Sequence, residues 1–225
     1  MRLLNVYQAQ AARVVRSIGN YGYVPDTVKA VVDRYNFVKY PQGADLVMDV
    51  ASPKPLTFLQ GKIVIDDRAI VVEKMEIYQG GLLVTTRSNT TDSILVLDNA
   101  LGWASERFGI KYEDIFPAPM YFSQLEIGLE LPLPQCFPQV STIGSAISKR
   151  LSGFWEQPPR FEITGLVFHF DKFKYPAHSP VPFKLERRAE NPFEKEVYWT
   201  EASLGTDDHV AVLTEFEQAC LKATK

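Results

Sequence analysis

At 225 residues, 46% hydrophobic and 23% charged, the chain can bury a sizeable core as one large domain or two small ones, and its modest polarity argues against extended disorder. A formal charge of −3 supplies no general electrostatic reason to bind nucleic acid. No window approaches the roughly 18 to 20 apolar residues of a membrane span, so neither nucleic acid nor membrane is an expected partner.

The opening stretch MRLLNVYQAQAARVV is interrupted by Gln8 and Gln10 and lacks the compact apolar run of a signal peptide, so a cytoplasmic location is the default expectation. Val6 to Ile18 reads as a first helix, with an imperfect apolar stripe through Val6, Ala9, Ala12 and Val14 to Ile18, stopped by Gly19 and Gly22. Asp26 can cap a second helix, with Pro25 before it and Val28, Val31, Val32 and Tyr35 at helical spacing. Pro41 and Gly43 close this segment. Residues 1–43 are therefore expected to form a helical pair packed on the main body.

Strands follow. Ala44 to Val50, Gly61 to Ile65, Ala69 to Tyr78 and Leu82 to Arg87 are candidates, broken by Asp66-Asp67 and Gly80-Gly81. The Gly-Gly pair is a hairpin signal because both positions tolerate positive φ. In the third candidate, Val71, Glu73, Met75 and Ile77 form the more apolar face and are expected to meet the core. Thr91 and Asp92 can cap a helix through about Phe108, ended by Gly109. Met120 to Leu131 returns to strand, with Tyr121, Ser123, Leu125, Ile127, Leu129 and Leu131 on one side. Pro132, Pro134 and Pro138 forbid a central strand beyond it, and Ile143 to Leu151 reads as a short helix ending near Gly153.

The last third repeats the order of strands and then a helix. Phe161 to Phe173, Val181 to Arg188 and Glu194 to Leu204 are strand candidates. Asp207 or Asp208 then caps a helix carrying Val210, Leu213, Phe216 and Cys220. Thr90-Thr91-Asp92 before Ile94 to Leu97 echoes Gly205 to Asp208 before Val210 to Leu213. The expected class is α+β: a mostly antiparallel sheet with an N-terminal helical pair and helices after strand clusters. Residues 44–135 and 136–225 read as two strand-rich, pseudo-duplicated sheet-and-helix halves of one compact body. Regular βαβ alternation is missing, which argues against a doubly wound sheet.

All three histidines lie in the last third. A strand from Phe161 to Phe173 would put His169 and Asp171 on one face, about 6 to 7 Å apart at the backbone. With His178 as a third ligand they could hold a divalent metal and activate water, or serve acid–base chemistry directly. The same alternation of Phe168 and Phe170 with His169 and Asp171 also describes an amphipathic strand with a polar outer face. Gly144-Ser145 does not complete GxSxG, no glycine-rich phosphate loop is present, and Cys136 and Cys220 form no CxxC pattern.

Trp155, Tyr175 and Phe183 stand beside Gly- and Pro-bounded loops, where large aromatics contact ligands or partners. Together these features favour a non-catalytic binding or assembly protein that recognises a protein partner or self-associates into a homo-oligomer. The competing classes are a metal-dependent or acid–base hydrolase using His169, Asp171 and His178, and a protein binding a small apolar ligand in a pocket reached past Trp155 or Tyr175.

Overall fold

The computed structural model describes residues 1–18, 24–46, 54–153, 155, 157, 159–174 and 180–223. It is a mixed α+β fold with a large antiparallel sheet and several interspersed helices. In chain order the elements are β1 (Arg2–Ile18), α1 (Val24–Tyr35), β2 (Leu56–Ile65), β3 (Arg68–Tyr78), β4 (Gly81–Thr86), α2 (Thr90–Phe108), β5 (Lys111–Asp114), β6 (Met120–Gly128), α3 (Leu133–Cys136), α4 (Pro138–Leu151), β7 (Gly165–Phe168), β8 (Phe183–Arg187), β9 (Val197–Ala202) and α5 (Thr206–Ala223). Among the described residues, no helix is long and apolar enough to cross a membrane.

The chain divides into two compact units. One comprises Val6–Ser123 with Leu204–Thr206, the other Met1–Asn5, Gln124–Ser203 and Asp207–Lys225. In the first unit, strand neighbours run β2-β3-β4-β1, with β5 also pairing β1; in the second they run β7-β8-β9-β6. Each unit contains a strand, helical structure, three antiparallel strands and a helix in that order; in the first, β5 follows the helix.

The expected N-terminal helical pair is corrected in one member. Val24–Tyr35 is a helix, but Val6 to Ile18 belongs to the long strand β1. Ala9, Ala11 and Val15 are buried, a period of two carried by small residues. Ala, Gln and Arg favour helix locally, but pairing decides the outcome. Ala9 to Val14 lie opposite Thr86 to Gly81 of β4, and Val15 to Ile18 lie opposite Asp114 to Lys111 of β5. The expected strand at Ala44 to Val50 is also corrected where it is described, since Gly43–Leu46 is a 3-10 turn; residues 47–50 lie outside the described residues.

The hairpin chemistry differs from expectation in an instructive way. Asp66 and Asp67 both adopt positive φ between β2 and β3, as a two-residue type I′ connection requires. Gly81 has no positive φ; it is small because a Cβ there would press on the Arg13 backbone oxygen across the β4–β1 pair. On β3 the buried residues are Ile70, Val72 and Met75, while Val71 is exposed. Burial therefore changes face in mid-strand. The neighbouring strand changes phase too, from Leu56 and Phe58 to Gly61 and Ile63, at Gln60 with its φ of 58°. The expected face assumed an unbroken alternation along β3, whereas burial changes phase on both strands.

The core of the first unit joins Val28, Val31 and Tyr35 of α1 to Phe58, Val72, Met75 and Val84 of the sheet, and to Val96, Leu97 and Ala100 of α2. Asn89, not Thr91 or Asp92, caps α2: its side-chain oxygen accepts from the Asp92 N–H at 2.7 Å. Thr206, which opens α5 and belongs to this unit, donates its N–H to Thr90 Oγ1 at 2.8 Å. The Thr90 N–H returns a bond to Thr206 Oγ1 at 3.0 Å. Two helix starts thus satisfy one another's orphan donors reciprocally. The threonines of the sequence echo meet in space.

In the second unit, Leu125, Ile127 and Leu129 are buried from and beyond β6, as the alternation there predicts. The prolines after it start helices instead of continuing a strand: Pro134 sits at the start of α3 and Pro138 at the start of α4. Arg187 is buried with Glu196 as its ion partner at 2.9 Å and the Tyr198 hydroxyl at 3.0 Å, while the Phe193 ring lies 4.7 Å from its guanidinium. Burial first, and then the Glu196 carboxylate, push the Tyr198 phenol far above its usual range.

Candidate functional site

His169 and Asp171 do not share the strand that the sequence suggested. Strand β7 ends at Phe168, so no strand places His169 and Asp171 on a common face. His169 is exposed. Asp171 closes a local turn: its Oδ1 accepts the Phe173 N–H at 3.0 Å, its carbonyl accepts the Lys174 N–H at 3.1 Å, and Lys174 Nζ lies 3.8 Å from its carboxylate. His178 and Tyr175 lie outside the described residues. Among those that are described, no group of three or more His, Cys, Asp and Glu side chains could hold a metal ion. The expected divalent-metal cofactor is thereby corrected, because zinc-type chemistry needs about three converging protein ligands.

His209, the last of the three histidines, is a core residue. It is fully buried with its ring edge-on to Phe183 at 5.6 Å. Its Nε2 lies 2.9 Å from Thr200 Oγ1, and that hydroxyl donates to the Lys184 carbonyl at 2.7 Å. A threonine has one hydroxyl proton, so Oγ1 accepts from His209 and the proton resides on Nε2. Burial lowers the imidazole pKa to about 4, which keeps it neutral near pH 7. Phe183 also packs edge-on against Phe168 at 5.8 Å, so part of its surface serves the fold of this unit.

Trp155 is exposed, as partner contact requires. The more informative surface lies on α4, which sequence reading had begun at Ile143. This helix buries none of its residues. Its Val140, Ile143 and Ile147 are 45%, 58% and 38% exposed, and their spacing of three and four places them on one stripe.

The side of α4 that touches the fold is polar and small. Ser141 Oγ donates to the Pro134 carbonyl at 2.8 Å, and Ser148 Oγ donates to the Pro159 carbonyl at 2.9 Å while accepting the Phe161 N–H at 3.3 Å. Between them, Gly144 lies so close to the Phe161 backbone that a Cβ would collide with its carbonyl oxygen. Phe161 itself remains exposed beside the stripe. The side of α4 seated on the fold thus carries hydroxyls and a glycine, and Val140, Ile143 and Ile147 flank it with much of their surface in solvent.

Charge sharpens the picture. Lys149 and Arg150, both exposed, are the charged residues of α4 and sit together in its last turn, where they complement the helix dipole. The first three turns carry none. A contiguous apolar stripe with a polar margin marks an interaction surface more specifically than scattered exposed aliphatics do. The signal was available in the sequence as Val140, Ile143 and Ile147 at helical spacing. What the sequence did not reveal is that this stripe faces outward.

No family model matches the chain, and no curated protein matches its sequence.

Proposed function

We propose that this chain is a non-catalytic assembly protein whose α4 surface receives the same surface of a second copy. The observation that carries the reading is the outward apolar stripe of Val140, Ile143 and Ile147 on a helix anchored through serines and a glycine. Burying these side chains against a matching stripe removes apolar area from water at about 25 cal/mol per Å². The stripe is self-complementary: in an antiparallel pair whose dyad passes between positions 143 and 144, Val140 meets the partner's Ile147, and the two Ile143 side chains flank the dyad, one residue out of register with each other. Such a contact is isologous and closes as a twofold dimer.

Charge placement selects the direction. An antiparallel copy sets Lys149 and Arg150 against the uncharged first turn of its partner, whereas a parallel copy would bring both basic ends together. Edge-on packing of Phe161 would widen the contact on either side of the dyad.

Position 143 therefore supplies a charge-swap test. Ile143→Glu and Ile143→Lys, each alone, are expected to be monomeric by light scattering because like charges oppose across the dyad. Mixed in equal amounts they are expected to recover dimer. The exposure of Ile143 means both variants retain the thermal unfolding midpoint of the isolated chain. Variants that keep the mass of the unsubstituted protein, or a mixture that remains monomeric while the unsubstituted protein dimerises, would sink the reading.

A further inference from the structure

A second feature, independent of α4, lies wholly within the unit formed by Val6–Ser123 and Leu204–Thr206. Between α1, α2 and the β3–β4 hairpin is a pocket with a volume of about 130 Å³. Val31 of α1, Met75 and Ile77 of β3, and Leu101, Trp103 and Phe108 of α2 supply much of its wall, with Tyr78 exposed at its rim. No Asp, Glu, Lys, Arg or His lines it.

The aromatic wall is held in place from behind. The Trp103 ring meets Tyr35 at 6.2 Å and 84°, and Phe108 at 5.4 Å and 79°, both edge-to-face. The Arg34 guanidinium lies 5.1 Å from the Trp103 centroid, and the Tyr35 hydroxyl donates to Asn99 Oδ1 at 3.0 Å. The Tyr35 hydroxyl is thus engaged, and Trp103 is braced by two rings and a cation.

We infer that this pocket is a binding site for a small, neutral aromatic molecule of one ring or a compact fused pair, or an apolar molecule of comparable size. Volume sets the size: an apolar cavity of about 150 Å³ accepts benzene, so this one matches a ligand of about 6 to 9 non-hydrogen atoms. The lining sets the charge. A carboxylate or ammonium would be desolvated here with no counter-charge among the lining residues, which is strongly unfavourable. The aromatic edges and faces of Trp103 and Phe108 set the preference for a ring.

The test is titration of the full chain with indole and toluene, with benzoate as the charged control, followed by NMR of the Met75 methyl and the Trp103 indole. Saturable shifts at these two residues with indole or toluene, and at least tenfold weaker binding of benzoate, are expected. Ala104, a half-buried lining residue of α2, gives the second arm. Ala104→Leu fills the pocket and is expected to weaken indole at least tenfold while the variant keeps its fold by circular dichroism. No saturable shift with either probe would overturn the inference, as would shifts that map to residues away from Met75 and Trp103. Unchanged affinity in a folded Ala104→Leu variant would do the same. If that variant does not fold, the location of the shifts in the unsubstituted chain decides. Because Ile143 variants leave this pocket intact, failure of the α4 reading and failure of this one are separable.

Discussion

His209 shows how one side chain can be read two ways. A histidine invites a search for chemistry, yet this one continues the buried stripe of α5 through Leu213 and Cys220. That stripe was legible in the sequence; the membership of a histidine in it was not, because polarity masks the period. Its depressed pKa has a consequence for stability. In the unfolded chain an imidazole titrates near 6.5, whereas in the fold burial lowers it to about 4. Between those values the unfolded state binds the extra proton, so this contribution is complete above about pH 6.5 and is lost as pH falls toward 4. The full span is on the order of 3 kcal/mol. Urea unfolding from pH 7.5 to 4 is expected to show this loss, and His209→Gln is expected to flatten that part of the profile. An identical pH dependence in both proteins would contradict the account.

At the scale of elements, the legible parts were those with long, strongly patterned sequence. Helix α2 and strand β6 fall close to their expected bounds because their periods and stop signals agree. Strand β1 was misread because its inward residues are alanines, which carry little β signal, and its partners β4 and β5 are distant in sequence. Strand β7 is shorter than the pattern from Phe161 to Phe173 implied, and with that shortening the His169–Asp171 site lost its geometry. Helix α4 carries a prediction of its own. In an exposed helix Gly→Ala is favourable by about 1 kcal/mol. At Gly144 the added Cβ meets the Phe161 backbone oxygen, so Gly144→Ala is expected to destabilise the protein by about 1 to 3 kcal/mol in urea unfolding. A stabilised variant would mean that α4 does not seat on Phe161 as described.

For the whole molecule, both units contain a strand, helical structure, three strands and a helix in that order, and the first adds β5 after its helix. Thr90 and Thr206 were paired in sequence by their place before a helix, and their reciprocal hydrogen bonds show what those threonines do. The units differ in how they use their surfaces. One encloses an apolar pocket against its sheet, while the other turns an aliphatic stripe outward on α4. Neither difference follows from composition, since both depend on which side of a helix meets the fold. The central claim is that α4 meets α4 of a second copy. Sedimentation equilibrium of the unsubstituted chain over a hundredfold concentration range tests it most directly. The account predicts a reversible shift from a mass of 25.4 kDa to twice that value and its loss in Ile143→Glu. A constant monomer mass at every concentration would contradict it.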